Sequence, residues 1–121
     1  MGNNITEKSI VNSCLRWARK LPCSKFRKRK GGVTNPGEPD IYGCIFGLHV
    51  EIEMKAPGGK PTKLQERRIV EWSNAGCFIK GIAYSLYEFK EIIIYGLKMF
   101  ISCELSLMEE GIRDFLKGVE K

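Results

Sequence analysis

Apolar positions early in the chain recur at helical spacing, with Ile10, Cys14, Trp17 and Leu21 four, three and four residues apart. They predict a helix over 5–21, capped by Asn4 or Thr6 and stopped by Pro22. Polar residues 23–30 read as a short strand, and the glycines, prolines and Asn35 within 31–39 mark a loop. The period then changes to two. Residues 40–46 and 48–55 predict strands joined by a tight turn near Gly47. In the second strand His49, Glu51, Glu53 and Lys55 share one face, while Val50, Ile52 and Met54 share the other. A Gly/Pro loop over 56–60 leads to a helix that starts at Pro61 or Thr62 and stops at Gly76. A strand over 77–84 and a helix over 85–95 follow. The stripe Leu105, Met108, Ile112, Phe115 and Val119 predicts one more helix. The order is that of an α/β fold, a mixed sheet with helical cover.

Composition narrows the class. With 43% hydrophobic and 28% charged residues, the chain of 121 residues has the balance of one globular domain rather than of a disordered segment. No apolar run approaches the roughly 20 residues that span a bilayer; the nearest, 92–103, is broken by Gly96 and Lys98. The start at Met1 is polar with no apolar signal region behind it, so a cytoplasmic protein is expected. The 5 cysteines are scattered, odd in number and without paired spacing. They read as reduced, mostly buried thiols, neither a disulfide framework nor a zinc site.

The net charge is +6, and the excess is concentrated. Arg16, Arg19, Lys20, Lys25, Arg27, Lys28, Arg29 and Lys30 lie in a stretch with no acidic side chain. Such a cluster favours a polyanionic partner through counterion release. From charge alone a solvated basic face is an equal alternative. A lipid surface is the weaker one, because no long amphipathic helix carries these charges.

The chemistry concentrates at Gly37-Glu38-Pro39-Asp40 and, thirteen residues beyond Asp40, at Glu53-Met54-Lys55. Phosphodiester hydrolysis requires an activated water and compensation of charge on the phosphoryl oxygens. A divalent cation on one or two carboxylates supplies both. A hairpin turning near Gly47 brings Asp40 and Glu53 to about 5 Å of each other. Lys55 shares their face, and the Met54 carbonyl offers a further oxygen. The bland alternative, a solvent-facing strand with alternating charges, is weakened by the fixed backbone at Pro39, the adjoining glycine-rich loop and the apolar opposite face. His49 lies roughly 20 Å along the strand from Lys55 and reads as a satisfied sheet histidine. Glu51 reads as a supporting or solvent residue, and Trp17 and Trp72 as core. Lys60, Lys63, Arg67 and Arg68 suit phosphate contact and ordinary solvation equally. Neither Cys14 nor Cys77 has a histidine partner for nucleophilic chemistry.

The ordered set Gly37-x-Pro39-Asp40, Ile52-Glu53-Met54-Lys55, Thr62-x-x-Gln65, then Gly76 and a strand, resembles the virus-type replication-repair nuclease (VRR-NUC) domain. That domain is a branch of the PD-(D/E)XK nuclease superfamily, and the resemblance covers 5–95, leaving 96–121 as an extension. It implies a restriction-endonuclease-like αβββαβ core and magnesium- or manganese-dependent DNA cleavage. It further implies a stand-alone phage or bacterial enzyme, similar to Holliday-junction resolvases and acting as a homodimer on branched DNA. By the same resemblance Asp40 and Glu53 match the metal ligands, Lys55 the catalytic lysine, Gln65 the glutamine of the following helix, and Glu7 an acidic metal-holding residue of the first helix. Glu7 is also explained by the helix dipole. Gln65 is also explained by a capping box with Thr62, and the two roles are expected to exclude each other. Arg27, Lys28, Arg29, Lys30, Lys60 and Lys63 are the expected DNA contacts. A general or sequence-specific endonuclease, a non-catalytic binding module and a purely structural role remain the alternatives.

Overall fold

The computed structural model describes residues 6–30, 35–103 and 105–119, without the side chains of 105–107. The expected start at Ile5, the Asn4 cap, the first part of the 31–39 loop and the Leu105 end of the apolar stripe lie outside what is described. Helix α1 (Glu7–Ala18) begins where the Thr6 hydroxyl accepts the Ser9 N–H at 3.1 Å. It buries Ile10, Val11, Cys14, Leu15 and Ala18. Strand β1 (Ser24–Lys28) follows, and then the hairpin of β2 (Ile41–Ile45) and β3 (Leu48–Met54). The hairpin closes through Phe46 and Gly47, whose φ values of 49° and 81° suit a two-residue turn between right-twisted strands. Helix α2 (Lys63–Asn74), β4 (Ile79–Ala83), α3 (Leu86–Ile101) and α4 (Leu105–Val119) complete the order.

The sheet order is β1-β2-β3-β4, antiparallel except for the parallel pair β3 and β4 that α2 connects. Phe26, Ile41, Ile45, Val50, Ile52, Met54, Ile79 and Ala83 pack with α1 and with Phe89 and Ile93 of α3 to form the core. The opposite face is different. It carries His49, Glu51, Glu53 and Lys80, and α2 lies over it without burying a single residue of its own. One face of the sheet therefore builds the core, and the other is left for polar chemistry.

Three expectations need correction. Helix α3 does not end near Gly96 but runs on to Ile101. A Cβ at Gly96 would stand 2.6 Å from Ile79 Cγ1, so this glycine permits close helix–sheet packing instead of stopping the helix. The cysteines are not mostly buried: Cys14 and Cys77 are, whereas Cys23, Cys44 and Cys103 are exposed. Burial pushes the Cys14 thiol up to about 11, which removes it as a nucleophile near neutral pH. Trp17 does pack against the core, edge-on to Phe89 at 6.0 Å, but Trp72 stacks on His49 at 4.9 Å on the polar face. Among the described residues no helix is long and apolar enough to cross a membrane.

Candidate active site

Four elements, α1, β2, β3 and α2, converge where β3 ends and β2 begins. Ile41 pairs with Ile52, so the preceding Asp40 comes level with Glu53. Pro39 is buried, and Gly37 (φ 74°) sits where a Cβ would lie 2.6 Å from Leu64 Cγ, which lets the loop press against α2. Asp40 Oδ2 accepts the Met54 N–H at 3.0 Å. Met54 thus serves the site through its amide. Glu53, only 1% exposed, has one oxygen near two donors: Gln65 Nε2 at 3.4 Å and Lys55 Nζ at 3.9 Å. Glu7 reaches in from the first turn of α1, and one oxygen from each of Glu7, Asp40 and Glu53 lies within 4.8 Å of the others.

Three carboxylates this close, on a sheet end covered by protein, repel one another. Burial first, then the neighbouring Asp40, push the Glu53 carboxyl up to about 9; Lys55 opposes the rise and Glu7 adds to it. Glu53 Oε2 is buried and has no hydrogen-bond partner, and among the described residues no other buried side-chain oxygen or nitrogen shares that state. An orphaned oxygen on a glutamate grouped with two further carboxylates fits a divalent cation held by oxygen ligands. The donor set suits magnesium or manganese better than a soft metal, since it contains neither thiolate nor imidazole.

Gln65 departs from expectation. Its Oε1 accepts the Thr62 N–H at 2.9 Å, its own N–H donates to Thr62 Oγ1 at 3.1 Å, and its Nε2 still donates to Glu53. The capping box does not compete with the site. It holds the amide by its oxygen and so points the nitrogen at Glu53.

A second polar cluster adjoins the first and was not visible in the sequence. Glu51, fully buried, receives Arg29 Nη1 at 2.7 Å and Nη2 at 3.1 Å, and its Oε2 lies 2.6 Å from His49 Nε2. The guanidinium lies over the Tyr42 ring at 4.5 Å. Trp72 Nε1 donates to Glu38 at 2.8 Å, and Arg68 approaches the same carboxylate at 3.5 Å. The one available signal was position: Glu51 sits midway along β3, which has a strand on either side and α2 across its face. Of the expected DNA contacts, Arg27, Lys28, Lys30, Lys60 and Lys63 are exposed, the last two flanking the loop that leaves Lys55. The Arg29 side chain is 16% exposed and already committed to Glu51.

No protein-family model and no curated protein sequence matches this chain. Solved structures do. One named "VRR_NUC domain protein" superposes with a TM-score of 0.62 at 19% identity, covering 79% of this chain and 91% of its own. Another, named "VRR_NUC domain", gives 0.58 at 20% identity over 74% of this chain and 96% of its own. The chain has the VRR-NUC fold.

Proposed function

We propose that this chain is a metal-dependent endonuclease that hydrolyses DNA phosphodiester bonds, with Asp40, Glu53 and Lys55 at its centre. The observation that carries the reading is the Glu7, Asp40 and Glu53 cluster with its orphaned Glu53 oxygen. Magnesium or manganese held there would lower the pKa of a bound water and offset charge on the phosphoryl oxygens. Asp40 offers the oxygen that Met54 does not hold, and Glu53 the oxygen that Gln65 does not reach. Lys55, 14% exposed beside Glu53, supplies an ammonium to orient the attacking water or take up developing charge. Gln65 steadies the Glu53 carboxylate. Arg27, Lys28, Lys30, Lys60 and Lys63 then neutralise backbone phosphates.

The finer reading is a Holliday-junction-resolvase-like enzyme acting on branched DNA as a homodimer. Symmetric incision of a junction needs two sites related by a two-fold axis. Helix α4 exposes Met108, Ile112, Phe115 and Val119 along one stripe, a surface suited to a twin subunit. The test is a panel of labelled DNAs (linear duplex, flap, fork, four-way junction) with magnesium, manganese or a chelator. Cleavage should need the cation, favour the four-way junction and vanish in Asp40→Asn. Cleavage in chelator, or by Asp40→Asn, would sink the catalytic assignment. Equal rates on all DNAs from a chain that is monomeric by light scattering would remove the junction reading alone.

A further inference from the structure

We infer that Arg29, seated on the buried Glu51 carboxylate, is a positioning residue for Asp40. The inference rests on the metal-centre reading above. Arg29 grips the chain on both sides of Asp40. Its side-chain Nη1 donates to the Pro39 carbonyl at 2.7 Å, and its own main-chain N–H donates to the Asp40 carbonyl at 2.7 Å. The first bond matters most. Proline's ring fixes φ at residue 39, so the orientation of the Pro39 carbonyl is the freedom left in the peptide that leads into Asp40. Asp40 lies just outside β2, which begins at Ile41, so the regular ladder does not set that peptide plane.

Neutralising Glu51 does not by itself explain this arrangement. Two guanidinium donors already satisfy the carboxylate at 2.7 and 3.1 Å, and a sheet with an apolar residue at position 51 would need no arginine there. The guanidinium is a rigid fork with donors left over. With Glu51 holding two of them, its direction is set, and a bond goes to the peptide before the metal-ligand candidate. Tyr42 at 4.5 Å and Trp72 at 5.9 Å flank its plane, and Glu38 stands 4.0 Å from Nη1. The cluster thus joins the end of β1, the loop, β3 and α2, the parts that present Asp40, Glu53 and Gln65.

The experiment must separate aiming Asp40 from merely holding the sheet together. The double variant Arg29→Met, Glu51→Leu removes both buried charges together, an exchange that often leaves stability unchanged or raised. It also removes the donor to Pro39. Mn²⁺ binding, read by electron paramagnetic resonance, should weaken about 10-fold. With DNA, kcat should fall while KM stays near that of the intact protein. Arg29→Lys keeps a charge against Glu51 but has no planar fork, and Mn²⁺ binding should weaken several-fold. If the double variant does not fold, Arg29→Lys decides by the same criterion. Variants that bind Mn²⁺ as tightly as an intact chain whose binding depends on Asp40 overturn the positioning role and leave the nuclease reading standing. An intact chain that binds no Mn²⁺, or binds it equally well as Asp40→Asn, overturns both.

Discussion

Two glutamates on one face of β3 are equally shut off from solvent, Glu51 at 0% and Glu53 at 1% exposure. Around Glu51 the chain assembles a bidentate arginine and an imidazole, and both carboxylate oxygens find partners. Around Glu53 it places two more carboxylates, a lysine 3.9 Å away and one long amide bond, and leaves Oε2 with no partner. A fold able to satisfy the first glutamate so fully has the means to satisfy the second. Unsatisfied buried groups cost free energy and cluster where a ligand completes them. The difference separates a carboxylate that organises structure from one kept open for chemistry.

The largest effect that tests this contrast is on cleavage. Glu53→Gln should lower the metal-dependent rate on the order of 10³-fold or more, because the groups of such a centre act as a unit. It should leave the chain folded. Lys55→Ala should do the same, and near-normal cleavage by it would remove Lys55 from the centre. Glu51→Gln should act the other way round, with a much smaller loss of rate per folded molecule. A Glu51→Gln protein that folds well yet is as inactive as Glu53→Gln would break the contrast.

Stability gives the mirror image. Glu51→Gln leaves the mostly buried Arg29 with only Glu38, 4.0 Å away, as a countercharge, and breaking a buried pair from one side costs up to about 3–5 kcal/mol. Chemical denaturation of the metal-free protein measures it. A loss below about 1 kcal/mol would mean that Glu51 is dispensable to the fold.

Much of this was readable from local pattern, and the remainder was not for definite reasons. The spacing of Asp40 and Glu53, with a turn at Gly47, fixes the hairpin register, because a slip of one residue would invert Val50, Ile52 and Met54. The acidic pair was therefore legible. Gly96 was not: a glycine reads as a helix stop, and only contact with Ile79 on another element shows it as a packing residue. The cluster of Arg29, Glu38, Glu51 and Trp72 was invisible because its members are distant in sequence. They meet only once α2 lies across the sheet. The two roles of Gln65 seemed exclusive because a pattern of residue types does not say which end of an amide is used.

The pH dependence of the metal-free protein sharpens the contrast on the Glu53 side. Its carboxyl moves from 4.5 in the unfolded chain to about 9 in the fold. Below 4.5 both states hold the proton and the fold is not penalised. Between 4.5 and 9 the unfolded chain gives up the proton while the folded one keeps it, so stability falls as pH rises. Thermal melts in chelator should show the folded state losing stability steadily as pH rises from 5 to 9. Glu53→Gln should flatten that slope. A slope that persists unchanged in Glu53→Gln would assign it to other groups.

The smallest effects separate the two jobs of Gln65. Thr62→Ala removes the hydroxyl that accepts the Gln65 N–H, costing about 1 kcal/mol. The residue 62 N–H remains to hold Gln65 Oε1, so Nε2 stays directed at Glu53 and cleavage should change less than about threefold. Gln65→Glu is the converse. A glutamate at this position caps as well as a glutamine does, so stability should hold within about 0.5 kcal/mol. What changes is the other end of the side chain: a donor toward Glu53 becomes an acceptor beside three existing carboxylates. Cleavage should fall several-fold with the denaturation midpoint nearly unmoved. A Gln65→Glu protein that cleaves at the intact rate would make Gln65 a helix cap alone, and would leave Lys55, 3.9 Å away, as the side chain that steadies Glu53.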